Sequence, residues 1–356
     1  MTSLMIYGAN GYTGALIARR AVERGLRPTL AGRNAAQVAA LAQELDLPAL
    51  TLSLDDPATL RAALADFRAV LHCAGPFSRT SRPMSEACLR TGTHYLDITG
   101  EIAVFEALAR RDAAARAAGV MLLPGVGFDV VPTDCLAAHL KRRLPDATHL
   151  ELAFRALGRV SRGTATTAIE NMGGSGAIRR NGRIVRTSPG RLTRRVDFGR
   201  GPVTVTAIPW GDVSTAYHST GIPNIVVYTY LPAAAREMMR VGSLLGPLIL
   251  GAKPVQSVLR GMIRRSPPGP NAEERERGKG LLWGEVRNAA GQRVVSRLIT
   301  PEGYALTARS AVLIAEQVLA GDVYPGFQTP SRAYGPDLIL AVDGVRRIDE
   351  DAMVEQ

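Results

Sequence analysis

Apolar residues gather in short blocks along the first third of the chain, and between the blocks they recur three and four positions apart. The first block covers residues 3–7, and Leu16, Ile17, Ala18, Ala21 and Val22 form the first helical stripe, which stops at Gly25. The alternation continues with strands over 28–31, 49–54, 69–74, 94–98 and 120–125 and helices over 34–45, 57–66, 80–91 and 102–118. Short apolar strands alternating with amphipathic helices predict a parallel, doubly wound sheet covered on both faces, the Rossmann-type α/β class.

The rhythm changes after Pro124-Gly125-Val126-Gly127-Phe128-Asp129. A helix over about 133–143 is followed by a strand-like run, Leu150 to Phe154, and by strands at 203–208 and 225–230 among glycine and proline turns. This pattern predicts a second, α+β domain over 131–302, after a first domain over 1–130. A helical region at 232–264 carries the most apolar stretch, Leu244 to Leu250, and 266–278 has the composition of a surface loop.

The turn after the first strand reads Gly8-Ala9-Asn10-Gly11-Tyr12-Thr13-Gly14. Glycines at such spacing, between a strand and an apolar helix, let a pyrophosphate approach the backbone and meet helix amides. The end of the second strand, where an acidic residue would hold the ribose hydroxyls of NAD, is Ala31-Gly32-Arg33-Asn34. The fork of Arg33 suits a 2′-phosphate and points to NADP(H); otherwise it is a solvated arginine opening a helix capped by Asn34. Asp55 and Asp56 either meet the adenine or cap the helix at Pro57. Cys73-Ala74-Gly75-Pro76-Phe77 ends the fourth strand at the sheet edge where ligands bind, so the nicotinamide ribose is expected there; Phe77 and Tyr12 serve equally as packing residues. Asp97 to Glu101 and Gly125 to Asp129 end the next two strands, and the rim they share is the expected active site.

The three cysteines, Cys73, Cys88 and Cys135, fit neither a disulfide framework nor a zinc site, and no pair among the five histidines has metal-ligand spacing, so no metal is expected. Without a run of about 18 apolar residues or a basic flank and cleavage site before Met5, the chain is expected to be soluble and cytoplasmic. The formal charge of +11 is carried almost wholly by arginine. Arg179, Arg180, Arg183, Arg186, Arg191, Arg194 and Arg195 fall together without an acid. With the apolar region 241–262 they could receive an acyl chain on an acidic carrier protein or coenzyme A, or a membrane surface; otherwise they are a solvated strand face beside a core or homodimer helix. Nucleic acid is not expected, because no aromatic residue interleaves the run.

Together these motifs resemble the saccharopine dehydrogenase-like oxidoreductases, a group that includes the trans-acting enoyl reductases. The resemblance is carried by Gly11-Tyr12-Thr13-Gly14, Ala31-Gly32-Arg33, Ala74-Gly75-Pro76-Phe77, Tyr95 to Glu101 and Gly127 to Asp134, in family order, and further on by His218 to Asn224 and Gly326 to Pro330. It implies NADP-dependent hydride transfer, and a carboxyl-terminal segment, 303–356 with a helix at 303–320, that packs back on the first domain. The substrate does not carry over.

No lysine stands four residues after a tyrosine and no Gly-x-Ser-x-Gly elbow follows a strand, which excludes a tyrosine–lysine reductase site and a hydrolase nucleophile. Asp129, Tyr95, Asp97 and His218 are the candidates for polarising or protonating a substrate, each with an alternative as a cap, a packing residue or a core polar group; for His218 the preceding sequence suggests a loop. The leading expectation is reduction of a C=C or C=N bond. A non-catalytic NADP-binding sensor or scaffold, and a lipid- or carrier-protein-binding module, are the rivals.

Overall fold

The computed structural model describes residues 3–156, 161–163, 165, 175–237, 239, 261, 267–350 and 353–354. The apolar stretch 244–250 and most of the helical region expected at 232–264 lie outside the described residues. The chain divides into two compact units, Met1–Val131 with Tyr304–Asp343, and Pro132–Gly303 with Gly344–Gln356.

The first unit runs β1 (Leu4–Tyr7), α1 (Tyr12–Glu23), β2 (Thr29–Gly32), α2 (Ala35–Leu45), β3 (Ala49–Thr51), α3 (Pro57–Leu64), β4 (Ala69–His72), α4 (Phe77–Thr91), β5 (His94–Asp97), α5 (Ile102–Ala109), α6 (Asp112–Ala117) and β6 (Met121–Leu123). Its strands are buried end to end in β1, β4, β5 and β6, because helices cover both faces. The central strand β1 is hydrogen-bonded to β2 on one side and β4 on the other, all in parallel. The direction of winding reverses between them, which makes the carboxyl ends of β1 and β4 the switch point of the sheet.

The second unit begins within α7 (Val131–Arg143) and continues through β7 (His149–Ala156), β8 (Gly176–Arg180), β9 (Arg183–Thr187), β10 (Thr193–Asp197), β11 (Pro202–Ala207), α8 (Asp212–Thr220), β12 (Asn224–Tyr230), α9 (Ala272–Arg277), β13 (Lys279–Arg287) and β14 (Gln292–Pro301). These eight strands and two from the carboxyl-terminal segment build a ten-stranded mixed sheet in which, among the described residues, only β12 and β7 pair in parallel. Helix α7 packs Leu136 and Leu140 onto β13 at Gly284. The opposite face carries Trp283, Tyr228, Val205 and Val295. The doubly wound sheet with a second α+β unit is thus the observed fold class.

Three local features differ from the sequence pattern. Helix α4 starts at Phe77 instead of 80, because the Glu101 carboxylate accepts from the amides of Phe77 at 2.8 Å and Ser78 at 3.0 Å and so caps a turn that no local residue caps. The expected loop at 266–278 contains α9, since Asn271 and Glu274 form a reciprocal capping box. His218 sits on α8, not in a loop.

The carboxyl-terminal segment also divides. Helix α10 (Gly303–Ala320), β15 (Gly326–Phe327) and α11 (Pro330–Tyr334) belong to the first unit, with β15 added in parallel to β6. The described residues beyond Asp343 belong to the second unit, not to the first as the resemblance implied. Strand β16 (Arg346–Asp349) instead extends the second sheet on β14, and β17 (Met353–Val354) pairs with the same strand. Side chains hold β16 there: His139 meets Asp349 at 2.8 Å, Arg297 meets Glu350 at 2.8 Å, and Arg143 donates to Glu350 O at 2.6 Å. No helix among the described residues is long and apolar enough to cross a membrane.

Because a Cβ at Gly284 would lie 2.6 Å from Leu140, Gly284→Val is expected to force α7 off the sheet and cost about 1–3 kcal/mol, read as a lower midpoint in urea.

Candidate functional site

The carboxyl rim of the first sheet is where most of the expected site residues meet. At its centre the β1–α1 turn is shaped by close backbone approach. Gly8 has φ +80° and donates to Ala31 O at 2.7 Å, and a Cβ there would lie 2.8 Å from Ala74. A Cβ at Gly14 would collide with the carbonyl of Gly8, so the first turn of α1 lies directly on the strand end. Asn10 donates to Gln37 at 2.9 Å and packs on Gly32. Tyr12 stacks edge-on against Tyr304 of α10 at 5.1 Å.

The helices that start along this rim differ in how their amino termini are satisfied. Asn34 caps α2 by accepting from Gln37 N, Asp56 caps α3 by accepting from the amides of Ala58 and Thr59, and Glu101 caps α4. Helices α1 and α5 have no side-chain cap and no acid in the first turn, and α1 alone of the two opens on a glycine, Gly11. An uncapped helix terminus at a glycine turn, at the switch point, is built to take an anion. The residues therefore fit a dinucleotide pyrophosphate at Gly11 to Gly14.

Arg33 stands exposed at the end of β2, beside capped α2, with no ion pair among the described residues. Asp56 is the cap of the next helix, whereas Asp55 is exposed and accepts from Ser53. Arg33 and Asp55 both act on Tyr7, whose hydroxyl donates to Leu52 O at 3.1 Å.

The β4–α4 turn lies beside the glycine turn. Cys73 donates its amide to Tyr7 O at 2.7 Å, Ala74 O accepts from Thr80, and Gly75–Pro76 is cis. Burial pushes the Cys73 thiol far above its usual range, so it is no nucleophile. Phe77 packs edge-on against His72 at 5.3 Å, and its amide is held by Glu101. Burial pushes His72 down to about 3, so it is a neutral core residue.

The four acid candidates separate cleanly. Tyr95 is fully buried and donates to Asp97 at 2.6 Å. Asp97 also accepts from the amides of Thr99 and Gly125, both at 2.9 Å. Burial raises its carboxyl to about 6, and with every donor engaged the pair pins β5 to the turn after β6. His218 belongs to the second unit, on α8 beside Tyr217. Asp129 alone of the two aspartates has no hydrogen bond or ion pair among the described residues, and burial raises it to about 7.

Asp129 is seated by residues that no sequence pattern marked. Its carboxylate lies against Gly100, where a Cβ would collide with it. The preceding turn is held by α10: Thr307 accepts from Phe128 N at 2.9 Å, and Ser310 donates to Val126 O at 2.8 Å. Glu101, Thr307 and Ser310 act across 23 to 184 positions of chain, beyond any local motif.

Residues 4–123 match the saccharopine dehydrogenase NADP binding domain. The trans-acting enoyl reductase of Mycobacterium ulcerans (strain Agy99) is 32% identical over 160 residues, 42% of this chain and 38% of that protein. That of Mycobacterium leprae (strain TN) is 33% identical over 149 residues, 40% of this chain and 36% of its own. The chain therefore matches well under half the length of these relatives. Among solved structures, saccharopine dehydrogenase (L-Glu forming) from Saccharomyces cerevisiae superposes with a TM-score of 0.67 at 13% identity, over 98% of this chain and 100% of that one. Homospermidine synthase from Legionella pneumophila, solved with NAD, gives a TM-score of 0.64 at 11% identity, covering 98% and 91%. The resemblance read from the motifs is borne out by these matches, and the structural likeness extends to the whole fold.

Asp97→Ala leaves three buried donors unpaired and is expected to cost about 2–4 kcal/mol in urea unfolding. The folded state raises this carboxyl above its unfolded value, so its contribution is full below about pH 4 and lost as pH rises through about 6. The penalty should accordingly be larger at about pH 4.5 than at about pH 8.

Proposed function

We propose, from an amino-terminal unit that matches a saccharopine dehydrogenase NADP-binding domain, that this chain is an oxidoreductase using NADP(H) to reduce an electron-poor C=C or C=N bond. The observation that carries the reading is a pair of features on one rim: an uncapped α1 at the glycine turn, and the partnerless carboxyl of Asp129. The first takes a dinucleotide and the second holds a proton near neutrality.

Gly8 to Gly14 would hold the pyrophosphate through backbone amides, and Cys73 to Phe77 would flank the nicotinamide ribose. Arg33 favours the 2′-phosphate of NADP(H) over the bare ribose of NAD, since the rim places no carboxylate at the end of β2. Bound NADPH would supply the hydride. Asp129 would deliver the proton that balances it, released from its Oδ and restored from solvent after each turnover. Burial keeps a useful fraction of Asp129 protonated near pH 7, which a solvated aspartate would not. An α,β-unsaturated acyl group is the substrate favoured by the enoyl reductases that the chain resembles.

Titration of nicotinamide fluorescence is expected to show NADPH binding more tightly than NADH, and Arg33→Ala weakening NADPH alone by roughly 10–100-fold. Absence of binding by either nucleotide would refute the reading. With enone or enoyl-thioester substrates, Asp129→Asn should lower kcat by roughly 10²–10⁴ while nucleotide affinity holds. The wild-type rate should be level below about pH 7 and fall above it as Asp129 ionises. Binding without any turnover would instead indicate a nucleotide sensor.

A further inference from the structure

The rim has two parts, the glycine turn and the 125–131 turn that carries Asp129, and one helix touches both. Tyr304, Thr307 and Ser310 recur every third residue and so share one face of α10. Tyr304, in the first turn of that helix, meets the Tyr12 ring edge-on at 5.1 Å, and Tyr12 is the residue that opens α1 after Gly11. One turn further on, Thr307 accepts from Phe128 N at 2.9 Å, and a Cβ at Gly127 would lie 2.8 Å from its methyl group. Ser310 closes the stripe by donating to Val126 O at 2.8 Å.

Helix α10 is built as a strut. Leu306, Ala311, Ile314 and Val318 are fully buried along it. Its far end is tied down by Glu316, which pairs with Arg24 at 2.9 Å, and by Val318 O, which accepts from Arg68 at 2.9 Å. No proline or glycine stands between Tyr304 and Ser310 to kink the roughly 9 Å between them, so the contacts of the stripe shift together. The turn that α10 grips is held on its other flank by β5, because Gly125 and Val126 donate to Asp97 at 2.9 and 2.8 Å. Asp129 is thus carried between a fixed strand and α10, its carboxylate against Gly100.

Around Asp129, the turn after β5 carries Asp97 and Glu101, both engaged by backbone amides, and the α10 stripe carries hydroxyls and no charge. Burial is what raises the Asp129 carboxyl, so a small change in how deeply the turn is seated changes its acidity. We infer that α10 couples the two turns: Tyr304 and Thr307 are positioning residues through which a dinucleotide on the glycine turn seats Asp129 more firmly. The inference rests on the reading of this rim as a nicotinamide-dependent oxidoreductase site. A pyrophosphate drawn to the open end of α1 confines Tyr12, Tyr12 confines Tyr304, and Thr307 then holds Phe128 N and the acid beside it. The proton donor is therefore best placed when the hydride donor is bound, and by reciprocity a seated acid favours the nucleotide.

The probe is 2′-phospho-ADP-ribose, which has the groups that the glycine turn and Arg33 would hold but no nicotinamide, so it acts on Asp129 through the protein. Full-length protein labelled with carbon-13 at its aspartate carboxyls, with Asp129→Asn to assign the signal, reports the titration of Asp129 whether or not that residue is catalytic. Saturating probe is expected to raise the Asp129 midpoint, by about fivefold or more in ionisation constant. Tyr304→Leu and Thr307→Val should bind the probe and lose this shift, whereas Tyr304→Phe and Thr307→Ser should keep it. With NADPH and an enone, the first two variants should lower kcat by roughly tenfold and move the alkaline limb of the rate profile to lower pH. Thermal midpoints check that they fold, and Tyr12→Leu makes the same test from the opposite side of the contact. A midpoint that bound probe leaves unchanged, or that shifts equally in Tyr304→Leu and Thr307→Val, would overturn the coupling and leave the oxidoreductase reading intact. Failure of both the probe and NADPH to bind would overturn the two together.

Discussion

The carboxylate of Asp97 is the point on which the rim of the first unit depends. Parallel strands end in loops that have no reason of their own to converge, and a site built from several strand ends needs something to fix them. Asp97 does this by accepting from Tyr95 in its own strand, from Thr99 in the following turn and from Gly125 after the next strand. A buried carboxylate is costly unless its donors are fully arranged, so the arrangement is close to all-or-none. Glu101, four residues on, extends the same scaffold to the start of α4, and through it to the Gly75-Pro76-Phe77 turn.

Charge along the rim follows the same economy of partners. Three helices are capped by side chains, whereas α5 is not and α1 is left to a glycine. Two aspartates lie nearby, the fully buried Asp97 saturated with donors and the half-buried Asp129 without partners among the described residues, and both are raised by burial. What separates the two carboxylates is their hydrogen-bonding. The second unit repeats the contrast with arginines: Arg179 and Arg194 are absorbed by carbonyls, carboxylates and rings, while their neighbours on the same ribbon are left to solvent.

Much of this was legible in the chain. Strand, glycine turn and helix announce themselves because β1 and α1 are adjacent in sequence and their patterns are local; so do Arg33 at the end of β2, the cap at Asn34 and the doubly wound class. What was not legible is contact across long separations. The sequence offered Tyr95, Asp97, Asp129 and His218 alike, and only the hydrogen bonds that join Tyr95, Thr99 and Gly125 to Asp97 set the first two apart from Asp129. The extra turn of α4 depends on a carboxylate more than twenty residues away, and β16 joins β14 because Asp349 and Glu350 find His139 and Arg297, a choice that no run of four residues can encode.

By itself, then, the sequence determined the class of fold, the place of the glycine turn and the excess of arginine, because hydrophobic period, glycine conformation and net charge are properties of short segments. The tertiary structure decided which carboxyl is spent on scaffolding, which helix end stays open and which arginines remain unpaired. Those are questions of who meets whom after folding, and hydrogen-bond donors, once buried, can be shared out in only one way at a time.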